Sequence, residues 1–332
     1  MPFDLLVPDL LLPPDAPDSL RSLRLASLER WLARADVVRE PPASAYAWLA
    51  QRYGLADPAP FAAISLAGEG IDNPGEWMRC DPVHLRIEND SIRLHDAAIL
   101  DIQRDEAEAL AASLRDHFAG DRLEIVVAAP DRWYARTPGS ALPRTTPLEA
   151  AVGRNVFGLL PANPPGGFNW RSAMTEAQML MSEHPVNVER GAHGKPAINS
   201  VWFWGEGPTP KELARPYAAI VMDDAFVKGL GTLSGAQTFA ALRMGDEPRA
   251  ADGLLVAIQA LVRPLRQGNA DEWTRVARHL DRTMFSEIGS ALGRFDVVRL
   301  VLPSAKGTLV ATLTPAARWR WLRPRRPLAA HA

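Results

Sequence analysis

A chain of 332 residues, 47% hydrophobic and 23% charged, can bury a sizeable core and has room for two compact units, and such a composition excludes disorder. The net charge of −2 gives no overall attraction to nucleic acid, so no such partner is expected and an anionic ligand must be held by local groups. The single cysteine, Cys80, excludes an intramolecular disulfide and fits a reducing cytoplasm; residues 1–9 have no basic region and are broken by Pro8, unlike a signal peptide, and no run reaches the ~20 apolar residues of a transmembrane segment.

Residues 3–7 predict a short buried strand ended by Pro8, then a proline-rich turn and a helix with Leu28, Trp31, Leu32 and Ala35 on one face. Residues 46–53 predict a second helix ended by Gly54, and the loop around Gly68, Gly70, Pro74 and Gly75 marks a boundary. Val83, Leu85 and Ile87 then alternate with His84, Arg86 and Glu88 ahead of a turn at Asn89-Asp90 and a returning segment 92–94, which predicts a hairpin. Asp105 offers an N-cap to a helix with Ala107, Leu110, Ala111, Leu114 and Phe118 at helical spacing, and 123–129 predicts a strand.

Residues 137–170 are rich in proline and glycine and predict a long ordered surface loop, of the kind that carries ligands. A helix over 172–183, a strand over 198–204 and a strand over 218–222 follow. Helices are predicted over 254–265 and 273–292, and 297–302 with 309–313 predict a hairpin. Strands and helices alternate at both ends around a middle that opens with a hairpin, so the expected fold is an α/β core interrupted by an inserted α+β domain.

Polar groups concentrate in Ser182-Glu183-His184-Pro185-Val186-Asn187-Val188-Glu189-Arg190, Gly194-Lys195-Pro196-Ala197-Ile198-Asn199 and Val201-Trp202-Phe203-Trp204-Gly205-Glu206-Gly207. An imidazole and amides are directional donors and Arg190 and Lys195 add charge, so His184, Asn187, Arg190, Lys195 and Asn199 suit a phosphorylated small molecule. The structural alternative is that His184, preceding proline, simply favours extended backbone while Asn187 caps a short helix.

Arg79, Arg86 and Arg93 lie on or next to the hairpin, where they are either phosphate readers or solvated surface groups. Asp223 and Asp224 after a strand read as caps of a helix from Ala225, or as metal ligands or general bases. Gly229, Gly231 and Gly235 lack dinucleotide-binding spacing and suit close packing, as do Trp202 and Trp204; Cys80 reads as a buried hydrophobe. Residues 318–326 interleave arginine with tryptophan, which suits a frayed, solvated terminus or contact with an anionic partner or acidic lipid surface.

The polar block resembles archaeal-type cofactor-independent phosphoglycerate mutases and bacterial relatives described as RpfE-type regulatory proteins. Further similar segments, in the same order, are 46–58, Ala67-Gly68-Glu69-Gly70-Ile71-Asp72, Glu76-Trp77-Met78-Arg79-Cys80-Asp81 and Phe226-Val227-Lys228-Gly229-Leu230-Gly231 with Ser234-Gly235. The resemblance implies an alkaline-phosphatase-like sheet with helices on both faces, a core split into 1–75 and 190–332, and an inserted domain over 76–189. It also singles out Arg79 as a ligand contact.

The departures bear on activity. Where the family places two metal-binding aspartates, this chain runs Val7-Pro8-Asp9-Leu10-Leu11; Ser44 stands one place from the family's nucleophile; and the family's second His/Asp/Glu cluster is missing, with only His279 and His331 beyond Ala250. Two-metal phosphoryl chemistry needs roughly six or seven ligands, and Asp9, Asp223, Asp224, Asp252, Asp281 and His279 do not make up such a set at credible positions. The expectation is a degenerate mutase-like protein without a metal cofactor, with a regulatory or ligand-sensing role toward a phosphorylated small molecule or a regulatory protein partner. The alternative is an active Mn- or Mg-dependent phosphoglycerate mutase or phosphatase, with Ser44 as nucleophile and Asp9 as a metal ligand.

Overall fold

Phe3, Asp4, Leu5 and Leu6 are all buried, so both faces of the first strand are covered. The computed structural model describes residues 2–13, 16–71, 75–88, 90–222, 224–240, 253–304 and 306–331. Its strands are β1 (Pro2–Leu6), β2 (Asp36–Glu40), β3 (Glu76–Glu88), β4 (Ser91–His95), β5 (Glu124–Ala129), β6 (Arg132–Arg136), β7 (Ser200–Pro208), β8 (Ala219–Val221), β9 (Gln237–Phe239), β10 (Leu254–Ala257), β11 (Val297–Leu302) and β12 (Thr308–Leu313). They divide between two compact units, Met1–Leu55 with Glu212–Ala332, and Ala56–Lys211.

The first unit holds a seven-stranded sheet in the order β2-β12-β11-β1-β10-β8-β9. β1 pairs in parallel with β10 and β11, whereas β12 runs antiparallel between β11 and β2. On one face Phe3, Leu5 and Val7 share a core with Leu28, Trp31 and Leu32 of the helix Ala26–Arg34 and with Trp273, Ala277 and Leu280 of the helix Ala270–Thr283. On the other face lie the helices Ala45–Arg52 and Ala225–Ser234. Gly231 in the second of these approaches β9 so closely that a Cβ there would stand 2.1 Å from Thr238 Cγ2 and 3.7 Å from Ile220 Cδ1.

Residues 254–265, expected as one helix, divide into β10 and the short helix Val262–Arg266. Leu254, Leu255, Val256 and Ala257 are all buried inside a parallel sheet, where both faces demand apolar residues and the two-residue alternation that marks a strand disappears. The helix expected over 273–292 breaks after Thr283 into a 3₁₀ turn and the short helix Ile288–Ala291.

The second unit holds a five-stranded sheet in the order β4-β3-β6-β5, with β7 also paired to β3. The first half of β3 bonds to β6 and β7, and its second half forms the expected hairpin with β4. The helix Arg104–His117 packs on β5 and the helix Trp170–Ser182 on β7, where Trp170 meets Phe203 edge-on at 5.0 Å. Gln103, not Asp105, is the N-cap of the former, and the Glu106 carboxylate accepts from Gln103 N at 2.8 Å.

This unit spans 56–211 where 76–189 was expected, because both flanks are tied to its sheet. β7 pairs with β3, and the helix Phe61–Gly68 packs on both strands, with Phe61 and Trp204 rings 5.7 Å apart. Gly205, at φ +72°, leaves no room for a Cβ, which would lie 2.9 Å from Phe61 Cβ. The segment 137–170 is largely irregular as expected, with a short helix Leu148–Ala151, and is fastened where Trp202 Nε1 donates to Thr146 O at 2.9 Å and Thr145 donates to Glu206.

Candidate functional site

In the first unit, β1, β2, β8 and β10 all run toward the same sheet edge. Ligands of open α/β sheets bind beyond the carboxyl ends of strands, and here those ends are followed by Asp9, Ser44, Asp224 and Gln259. Asp9 holds a left-handed φ of +59°, uncommon outside glycine, and its carbonyl accepts from Trp273 Nε1 at 3.0 Å. Ser44 is the N-cap of the helix Ala45–Arg52, its Oγ accepting from Ala47 N at 3.1 Å. Asp224 caps the helix Ala225–Ser234: its Oδ1 accepts from Phe226 N at 2.9 Å and Val227 N at 3.2 Å.

The other carboxylate oxygen of Asp224 accepts from the Tyr46 hydroxyl at 2.7 Å, and Gln259 Nε2 donates to the same hydroxyl oxygen at 3.3 Å. The Tyr46–Asp224–Gln259 chain went unread in the sequence, because its members are some 180 and 35 positions apart and carry no spacing signal. A second buried polar group did leave a trace, an acid inside an apolar strand. Asp4, fully buried, accepts from Tyr217 OH at 2.6 Å and from Arg299 Nε and Nη2 at 2.6 and 2.9 Å. Burial, reinforced by the Asp4 charge, pushes the Tyr217 hydroxyl well above the usual phenol range.

Several of the residues that a pair of divalent metals could draw on are engaged or exposed elsewhere. Asp281 caps the helix Ala26–Arg34 through Leu28 N (2.8 Å) and Ser27 N (3.2 Å), His279 is exposed on the helix Ala270–Thr283, and Asp224 is engaged as above. Among the described residues no three His, Cys, Asp or Glu side chains converge; Asp223 and Asp252 lie outside the described residues.

In the second unit the structure ties most of the polar block to backbone. His184, not Asn187, is the N-cap of the helix Pro185–Ala192, with Pro185 filling the first turn. Its Nδ1 accepts from Val186 N at 3.2 Å and its Nε2 faces Ser113 Oγ at 3.0 Å. Asn187 is buried; its Nδ2 donates to Met181 O (2.7 Å) and Ile198 O (2.8 Å) while its Oδ1 accepts from Ile198 N (2.7 Å). Buried Arg190 donates to Pro196 O (2.8 Å), to both Glu106 carboxylate oxygens (3.0 and 2.8 Å) and to Leu100 O. Asn199 bridges β3 as another strand would, accepting from Leu85 N at 2.7 Å and donating to Leu85 O at 3.0 Å. Lys195 is exposed.

Arg79 is separate from this clamp. Only 8% exposed, it lies between the rings of Tyr134 (5.4 Å) and Trp204 (5.3 Å), and its Nε and Nη2 donate to Asp81 Oδ1 at 2.9 and 2.7 Å. Trp204 Nε1 donates to the other Asp81 oxygen at 2.7 Å. Burial raises the Asp81 carboxyl above its ordinary range, although Arg79 and the indole oppose the shift. Arg86 and Arg93 face each other across the hairpin, and both reach Glu88. Cys80 is fully buried, and burial followed by the Asp81 charge drives its thiol well above its usual range.

A largely parallel sheet covered by helices on both faces and interrupted by an α+β unit is the alkaline-phosphatase-like architecture, and this is the class to which the fold assigns the chain. No family model matches it. Its sequence is related to 2,3-bisphosphoglycerate-independent phosphoglycerate mutases of archaea: 27% identical over 184 residues to that of Methanosarcina barkeri and 30% over 185 residues to that of Methanosarcina acetivorans. Each match covers 53% of this chain and 45% of the relative, so the aligned part is about half of the proteins it resembles. These relatives carry the mutase name and not a regulatory one.

Among solved structures, the PH0037 protein of Pyrococcus horikoshii is similar over 99% of this chain and 92% of its own length, with TM-score 0.56 and 13% identity, a likeness of fold. The cofactor-independent phosphoglycerate mutase of Thermoplasma acidophilum aligns over 95% of this chain and 89% of its own at TM-score 0.46 and 17% identity. Among the described residues no helix is long and apolar enough to cross a membrane.

Proposed function

We propose that the chain retains a phosphoglycerate-mutase-like scaffold without a two-metal centre, and serves as a regulatory or ligand-sensing protein for a phosphorylated small molecule. The observation that carries this reading is where its acids are engaged. Asp224 and Asp281, two of the carboxylates a metal pair would draw on, are occupied as helix caps, and Ser44 caps a third helix. A serine hydroxyl with no cation or base beside it is a weak nucleophile at neutral pH.

One observation favours the competing reading of a metal-dependent mutase or phosphatase: Asp9 and Ser44 follow strands that reach the same sheet edge. Incubation of the purified chain with 3-phosphoglycerate and with a phosphate monoester in millimolar manganese separates the two. The expected result is no turnover above a Ser44→Ala control; robust turnover that this substitution abolishes overturns the proposal in favour of the enzyme.

A further inference from the structure

Residues 315–331 are pinned to the first unit and do not fray. Ala317 and Leu328 are buried on either side of the stretch between them. Within it Arg320 donates to Arg34 O (3.1 Å) and Asp36 Oδ1 (2.7 Å), Arg323 to Ala35 O (3.0 Å), and Arg318 to Gly289 O (2.6 Å). From this held loop Trp319, Trp321 and Leu322 project with 81%, 66% and 78% of their surface exposed. Single exposed apolar side chains are ordinary, but two indoles and a leucine within four positions form a patch that calls for a partner.

The surroundings are cationic. Arg325 and Arg326 are exposed and have no ion-pair partner among the described residues, and no acidic residue occurs from Val297 to Ala332. Arg30 and Arg34 lie on the adjoining helix Ala26–Arg34; burial, then the like charges of Arg30 and Arg325, lower the Arg34 guanidinium below its ordinary range. Two carboxylates beside this loop are already engaged, Asp36 with Arg320 and Glu29 with Arg24 at 2.6 Å.

We propose that this loop docks the protein on an anionic lipid surface, with Trp319, Trp321 and Leu322 in the headgroup layer and Arg325 and Arg326 on lipid phosphates. Indoles settle at the interface of a bilayer, guanidinium groups match phosphate oxygens, and each basic residue near an anionic leaflet adds attraction. Leu322 separates lipid from nucleic acid: an aliphatic group offers no π face for a base to stack on, yet it gains by leaving water for acyl chains.

The test is cosedimentation of the full chain with vesicles of phosphatidylcholine alone and of phosphatidylcholine containing about one-third phosphatidylglycerol. Single-stranded oligonucleotide and polyglutamate serve as the other anions. Binding is expected to the anionic vesicles only and to weaken as salt rises. It should fall about tenfold in Trp321→Ser/Leu322→Ser and roughly fivefold for each of Arg325→Gln and Arg326→Gln, with unchanged circular dichroism and melting. Trp321 emission, taken as the difference between the parent and Trp321→Ser, should shift to the blue on binding. Absence of binding to the anionic vesicles, binding that neither set of substitutions alters, or tighter binding to the oligonucleotide or polyglutamate overturns the proposal.

Discussion

The two ring nitrogens of His184 have different tasks, which fixes its tautomer. Nδ1 must be unprotonated to accept from Val186 N, so Nε2 carries the hydrogen and donates to Ser113 Oγ. Burial lowers the affinity of this ring for a second proton below the ordinary 6.5. On acidification through that range the unfolded chain therefore binds more protons than the folded one, and stability at neutral pH is lost as pH falls. Unfolding by urea at about pH 7.5 and about pH 5.5 should show the parent losing more stability than His184→Asn, because asparagine caps a helix without titrating. His84 and His331, also lowered by burial, contribute equally to both proteins and leave the difference intact.

The same residues show what a sequence reveals of a site. The donors in His184, Asn187, Arg190 and Asn199 were legible, but their acceptors were not. Asn187 meets Ile198 only because the chain folds back after the helix Pro185–Ala192, and Arg190 meets Leu100 and Glu106 from a distant helix start. Asp224 was the easier case, since a cap is a local relation within three residues of its partners.

Between elements, the contact of Gly231 with Thr238 seats the helix Ala225–Ser234 against the edge strand β9. Alanine at an interior helix position ordinarily gains about 1 kcal/mol over glycine, but a Cβ 2.1 Å from Thr238 Cγ2 reverses the sign. Gly231→Ala should lower stability by roughly 1–3 kcal/mol, and Thr238→Ser in the same chain, by deleting the offending methyl, should restore most of it; thermal melts of the four proteins in the cycle check this. Element type was legible where the apolar positions kept a clear period, as in the hairpin of β3 with β4 and in the helix Arg104–His117. It failed for β10, buried on both faces, and for β2, where Asp36, Val37, Val38, Arg39 and Glu40 are all exposed and lack any apolar alternation.

At the scale of the whole chain, the unit 56–211 has its own sheet, its own helices and its own buried tryptophans, Trp77, Trp133, Trp170, Trp202 and Trp204. A core of that kind is expected to fold without the rest. A fragment of residues 56–211 should give a cooperative melt and a strong aromatic circular dichroism signal; a fragment with only far-ultraviolet signal and no sharp transition would count against an autonomous unit. The sequence pattern changes near Trp77, whereas the borders of the unit 56–211 leave no such mark, because β7 and the helix Phe61–Gly68 join its sheet through contacts invisible in one dimension.

The central place of β1, between β10 and β11, sets a timetable for the nascent protein. β1 takes its neighbours from positions 254–257 and 297–301, so Phe3, Leu5 and Leu6 stay without their strand partners until those later positions have been made. Residues 56–211 emerge complete in that interval. The order of synthesis thus favours closure of the guest before the host, and leaves β1 as a segment in need of a chaperone.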